Sequence, residues 1–123
     1  MIGRNKYHNQ KYSADGEVFD SKKEYQRWQE LKLLEKAGEI AELRRQVPFE
    51  LLPNQREPDK IGPRGGRKPG RIIERKVVYI ADFVYKDRFG REVIEDCKGM
   101  RTKDYILKRK LLLFRFGIRI LES

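Results

Sequence analysis

The sequence predicts an α/β protein ordered helix, strand, hairpin, helix, strand around a mixed sheet. Three observations carry this. "SKKEYQRWQELKLLEKAG" holds apolar residues at helical spacing between a capping signal and a glycine stop. "VVYIADFVYKDRFGREVIEDCKG" is two β-rich runs joined by a turn. "TKDYILKRKLLLFRFG" followed by "IRIL" is a helix leading into a last strand. Strand, helix and strand in that order form a crossover, which sets the last strand parallel to Val93–Cys97.

Residues 1–17 read as a loosely ordered polar arm, with "ADG" as a turn signal and a short strand at "EVF". His8, in that arm, is too isolated to be assigned as a general base. Ser21 then offers an N-cap, with Glu24 three residues on at capping-box spacing. Tyr25, Trp28, Leu31 and Leu34 share one face, and Gly38 ends the helix, giving a span of 21–37. In "LRRQVPFELLP" Val47, Phe49 and Leu51 alternate to one side, while Pro48, which cannot donate to a ladder, points to an edge strand. Gln46 falls on the opposite face and reads first as a solvated side chain, with a place at a functional site as the alternative.

From residue 53 to 76 the text is rich in Pro and Gly, with eight basic residues against three acids. With so little apolar surface it reads as a mobile basic loop. Arg64, Arg67, Lys68 and Arg71 suit phosphate contacts, because flexible basic segments gain affinity by counterion release. "GGRKPGRI" has the glycine spacing of a phosphate-binding loop but lacks its Lys-Ser/Thr ending, which excludes nucleotide hydrolysis.

In the hairpin, a type I turn followed by left-handed Gly90 makes Arg88, Phe89 and Gly90 the loop and sets Asp87 opposite Arg91. Counting back, Asp82 faces Asp96; a four-residue loop would set it opposite Glu95 instead. Beyond the hairpin, Thr102 caps a second helix that Gly117 ends. Its Leu111–Phe114 stretch, apolar almost all round, predicts a helix end covered on more than one side. Thr102, Lys103 and Lys108 lie in its first turns, where a helix N-terminus favours phosphate.

Composition narrows the function. With 29 Lys and Arg against 19 Asp and Glu, the net charge of +10 favours polyanions, nucleic acid above all. One Cys and one His exclude a disulfide framework and the usual zinc sites. No apolar run approaches the ~18 residues of a membrane span, and the start lacks a signal peptide's apolar segment, so a cytoplasmic, membrane-free protein is expected.

The chemistry concentrates in "VIEDCKG". The pleat puts Ile94, Asp96 and Lys98 on one face and Val93, Glu95 and Cys97 on the other. Two carboxylates meeting across a ladder destabilise it unless a cation lies between them, and Mg²⁺ takes one or two protein carboxylates. Glu24 borders the helix face that packs on the sheet, as a third ligand or as a helix cap. Lys98 is placed to position or deprotonate a water and to offset transition-state charge.

"SKKE" with Glu24, "ADF" with Asp82 and "EDCKG" with Asp96 and Lys98 resemble the PD-(D/E)XK nuclease superfamily, and more closely a small phage-borne family placed in it. The resemblance covers about residue 18 to the C-terminus apart from the basic loop. It implies a restriction-endonuclease-like core of helix, three strands, helix, strand, as a single nuclease-like domain over 18–123. It implies Mg²⁺ or Mn²⁺ at Asp82 and Asp96, Lys98 as the catalytic lysine and Glu24 as the helix-borne acid. Ala81 replaces the motif's proline, and Glu95 is a substitute for Asp96 if a bulge shifts the strand. The expected function is a divalent-metal-dependent endodeoxyribonuclease acting on DNA, including branched or Holliday-junction DNA, as a homodimer. A non-catalytic DNA-binding module on the same fold and a ribonuclease are the alternatives.

Overall fold

The computed structural model describes residues 11–14, 16–98 and 101–123. Most of the expected arm, with His8, lies outside the described residues, as do Asp15 of the "ADG" turn and Gly99. Twelve elements follow in order. They are β1 (Tyr12–Ala14), β2 (Glu17–Phe19), α1 (Lys22–Lys36), β3 (Ala41–Leu52), β4 (Gln55–Arg56), β5 (Lys60–Ile61), β6 (Arg67–Lys68), β7 (Ile72–Glu74), β8 (Val77–Lys86), β9 (Glu92–Asp96), α2 (Lys103–Phe116) and β10 (Ile120–Glu122). The main sheet has the order β10-β9-β8-β3. It is mixed, antiparallel between β8 and β9 and parallel between β9 and β10. Pro48 lies on β3, at the sheet's edge, the kind of strand that tolerates a residue without an N–H.

The chain divides into two compact units. One comprises Met1–Val47, Ala81–Met100 and Ile120–Ser123, the other Pro48–Ile80 and Arg101–Arg119. The boundary falls inside β3 and β8, a few residues outside the Pro- and Gly-rich stretch of residues 53–76.

In the first unit α1 begins where the capping signal put it. Ser21 is the N-cap, its hydroxyl accepting the Glu24 N–H, and Ala37 and Gly38 close the helix, Gly38 at φ +81°. Leu31, Phe83 and Tyr85 form the buried core, flanked by Trp28, Ile40, Leu43, Val93 and Cys97. Trp28 stacks on Phe83 with ring centroids 6.0 Å apart. Full burial of side chains such as Leu31 and Phe83 contributes ~1.5–3 kcal/mol each. β1 and β2 pair as a hairpin through Tyr12↔Phe19, so the strand at "EVF" has a partner that the sequence did not reveal.

The β8–β9 turn has the predicted three-residue form. Asp87 N–H donates to Arg91 O at 2.9 Å, Gly90 N–H donates to Asp87 O at 3.0 Å, and Gly90 adopts φ +78°. The register runs Lys86↔Glu92, Tyr85↔Val93, Val84↔Ile94 and Phe83↔Glu95, and one further step brings Asp82 beside Asp96.

In the second unit, residues 53–76 depart from the loop expectation. β4 pairs with β7 and β5 with β6, two short antiparallel ladders that satisfy backbone groups without an apolar core. The outer ladder depends on Gly70: a Cβ there would lie 1.9 Å from the Glu57 carbonyl oxygen. Asn54 Oδ1 accepts the Lys76 N–H at 2.8 Å and Arg56 donates to Gly70 O at 2.9 Å. These glycine-dependent and side-chain-to-backbone bonds order a segment that hydropathy alone cannot.

Helix α2 starts at Thr102, whose Oγ1 accepts the Tyr105 N–H, and ends at left-handed Gly117. Tyr105 and Leu112 face inward, and Tyr105 meets Tyr79 at 6.4 Å between centroids. Contrary to the expectation for Leu111–Phe114, Phe114 is 90% exposed. Two residues on from Leu112, it points to the opposite side of the helix. Among the described residues no helix is long and apolar enough to cross a membrane.

Candidate metal centre

All four expected catalytic residues lie in the first unit, on three elements and the segment just after β9. Glu24 comes from the first turn of α1, Asp82 from β8 and Asp96 from β9, with Lys98 two residues beyond. Asp82 and Asp96 are buried, as is Glu24 at 2% exposure. Glu24 divides its oxygens between two donors. Oε2 accepts the Asp20 N–H at 3.1 Å, just outside the helix, while Oε1 accepts from Gln46 Nε2 at 3.2 Å.

Gln46, whose first reading from sequence was a solvated side chain, lies instead among the acids. Its Nε2 also lies 3.4 Å from Asp82 Oδ1, so one amide spans both acids. Its backbone sits at φ +51°, left-handed for a non-glycine residue, at a cost on the order of 1 kcal/mol. Alternation along a strand cannot place a side chain that leaves the strand conformation. Arg45, its neighbour, lies over the Phe19 ring at 3.9 Å and 3.6 Å from Glu24 Oε1.

Carboxylate oxygens of Asp20, Glu24 and Asp82 come within 4.8 Å of one another. The expected trio of Asp82, Asp96 and Glu24 is therefore altered: Asp20 joins the oxygen cluster, and Asp96 stands against Asp82 beside it. No sequence signal marks Asp20, because its approach depends on how the chain enters α1. Asp82 Oδ2 accepts the Cys97 N–H at 2.9 Å. Lys98 Nζ pairs with Asp96 Oδ1 at 3.1 Å.

The electrostatics follow from this crowding. Burial, then the hydrogen bond and charge of Asp96, then the charge of Glu24, push the Asp82 carboxyl up to about 9. Burial likewise raises Glu24, against the Asp20 amide and Arg45, which lower it. An all-oxygen donor set of mutually repelling carboxylates fits a hard divalent cation, which would remove that repulsion.

Glu95, weighed as a substitute for Asp96, belongs to the other face. Arg27 grips it through Nε at 2.6 Å and Nη2 at 3.0 Å, Tyr85 donates at 2.7 Å and Ser123 at 2.9 Å. The β8–β9 register runs from Lys86↔Glu92 to Phe83↔Glu95 without a bulge, so Glu95 stays on the face away from Asp82. Cys97 is half-buried in the apolar cluster, and burial pushes its thiol up.

The residues expected to contact DNA lie in the second unit. Arg64, Arg67 and Lys68 are exposed, while Arg71 pairs with Glu57 at 3.7 Å. Thr102 is engaged as the α2 cap, Lys103 is exposed, and Lys108 pairs with Asp104 at 3.4 Å.

A family model described as a protein of unknown function (DUF1064) matches residues 4–120. No curated protein and no solved structure matches the chain. A match over nearly the whole sequence, hairpin acids and first helix included, places the chain in the DUF1064 family.

Proposed function

We propose that the protein is a divalent-metal-dependent endodeoxyribonuclease of PD-(D/E)XK type that hydrolyses DNA phosphodiester bonds, with branched DNA as its substrate class. One observation carries the reading: buried Asp82 is crowded by Asp96 and Glu24, while the Lys98 amine stands 3.1 Å from Asp96. A pure DNA binder gains nothing from carboxylates that repel phosphate. The +10 charge of the chain supports a polyanionic partner.

Asp82 and Glu24, with Asp20 or Asp96, would hold Mg²⁺ or Mn²⁺. A bound ion of this kind supplies Lewis-acid polarisation of a phosphoryl oxygen and lowers the pKa of water. The protein's own groups do the rest. Lys98 moves a proton to or from the attacking water and offsets charge that develops on the phosphate. Asp96 orients Lys98, and Gln46 fixes the carboxylates of Glu24 and Asp82 relative to each other. A homodimer would bring two such sites to one branched duplex.

The test incubates the protein with plasmid, single-stranded DNA and a four-way junction, with Mg²⁺, Mn²⁺ or chelator, beside Asp82→Asn and Lys98→Ala. Metal-dependent cleavage that both substitutions abolish is the expected result. Binding without cleavage under either metal contradicts the enzyme and leaves a DNA-binding module.

A further inference from the structure

We propose that the tip of the β8–β9 hairpin is a nucleobase-stacking site, where Phe89 takes an unpaired base and Arg88 and Arg91 meet the flanking phosphates. The inference rests on the nucleic-acid partner argued above and specifies what on a branched or frayed duplex the protein engages.

Phe89 is 72% exposed at the middle of a three-residue turn. Nothing in the turn's backbone requires an aromatic residue there. The ring is nonetheless firmly presented. Asp87 Oδ1 accepts both the Phe89 and the Arg91 N–H at 2.9 Å, and left-handed Gly90 closes the loop. The Arg91 hydrogen bonds, its backbone N–H first, hold the Asp87 carboxyl below its ordinary range, so that it stays ionised to make them. A ring carried on a fixed turn loses little conformational freedom when it binds.

The guanidinium groups of Arg88 and Arg91 lie 5.7 Å and 5.1 Å from the ring centroid. Arg91 also touches Asp87 at 3.3 Å, yet its side chain remains 74% exposed. A flat apolar ring flanked by two cations matches a ligand with a π-face and adjacent anions. An unpaired nucleotide in a strand has both, and proteins that bind single strands combine aromatic platforms with basic residues in this way. A fully paired duplex hides its base faces and offers only the phosphates. Two arginines and one ring are also too small a wedge to anchor the protein at a lipid surface.

The test measures binding in chelator, so that no strand is cut, to a frayed duplex carrying 2-aminopurine in its unpaired arm and to the same duplex fully paired. The wild type should prefer the frayed duplex by about tenfold and change the 2-aminopurine fluorescence. Phe89→Ala should lose both effects while keeping its affinity for the paired duplex and its melting temperature, and Phe89→Trp should retain both. A preference that survives Phe89→Ala overturns the proposal. So does an equal loss on both duplexes, or a Phe89→Ala defect seen only on phosphatidylserine vesicles. Because cleavage is scored separately with Asp82→Asn, a chain that cuts nothing but keeps the frayed-end preference contradicts the nuclease and supports this site.

Discussion

Glu95 and Asp82 lie on one hairpin, at 0% and 7% exposure, and the fold treats them in opposite ways. Burial alone would raise the Glu95 carboxyl, yet Arg27, Tyr85 and Ser123 together hold it below its ordinary range. Asp82 suffers the same burial with carboxylates for neighbours, and the Cys97 amide does not offset them. The pleat sends one acid to a cation and two hydroxyls, the other to further acids. Burial is thus a neutral fact about a carboxylate, and its partners decide whether it braces the fold or is poised for a ligand. Glu95 is a structural charge, while the charged form of Asp82 is disfavoured by its surroundings, a cost that the proposed metal would relieve.

The strongest challenge to this contrast is chemical. Lys98→Ala should slow DNA cleavage by roughly a hundred- to ten-thousandfold, the usual worth of a positioned acid or base. Single-turnover rates in Mn²⁺ check this, and a loss below about tenfold would remove Lys98 from the proton transfer.

Next in size is the structural partner. Arg27→Met leaves Glu95 buried and charged without its cation, at a cost of about 3 kcal/mol. Urea unfolding measures it, and a change under ~0.5 kcal/mol would show that Tyr85 and Ser123 suffice.

A third outcome separates the two acids by pH. Asp82 binds its proton more tightly folded than unfolded, where a carboxyl titrates near ~3.9. Its contribution to stability is therefore fully present below that value and declines as pH rises toward about 9. The slope is at most ~1.4 kcal/mol per pH unit. In the metal-free protein, Asp82→Asn should melt close to the wild type near pH 4 and increasingly above it through pH 8. A difference that shrinks with rising pH would reverse the sign assigned to Asp82.

The smallest effect concerns the second unit. Gly70→Ala sets a methyl 1.9 Å from the Glu57 carbonyl oxygen, and relieving that clash should cost ~1–3 kcal/mol locally. Faster hydrogen exchange at the Glu57 N–H, which donates to Arg71 O, is the expected sign. Unchanged protection there would mean that the β4–β7 ladder does not depend on the close approach.

What the sequence revealed was what short-range chemistry dictates. Gly90 fixed the hairpin loop, and with it the register that sets Asp82 by Asp96. Ser21, Thr102 and Gly117 marked helix ends within a residue. What it hid depended on geometry that no local pattern carries. Gln46 reaches Glu24 and Asp82 only because its backbone is left-handed, and Asp20 joins the cluster only because the chain turns into α1 beside β8. The ladders of residues 53–76 rest on a close approach at Gly70 that looks in sequence like one more loop glycine. The division into two units cuts through two continuous strands, a few residues outside the Pro- and Gly-rich segment that composition does mark.

The central claim is that, among the described residues, carboxylates crowd Asp82 while a guanidinium holds Glu95, so that a divalent cation would bind at the former and not at the latter. Calorimetric titration of the protein with Mn²⁺ tests it most directly, on the wild type, Asp82→Asn and Glu95→Gln side by side. Saturable binding that Asp82→Asn abolishes and Glu95→Gln retains is the predicted result; no binding, or binding indifferent to Asp82, would contradict it.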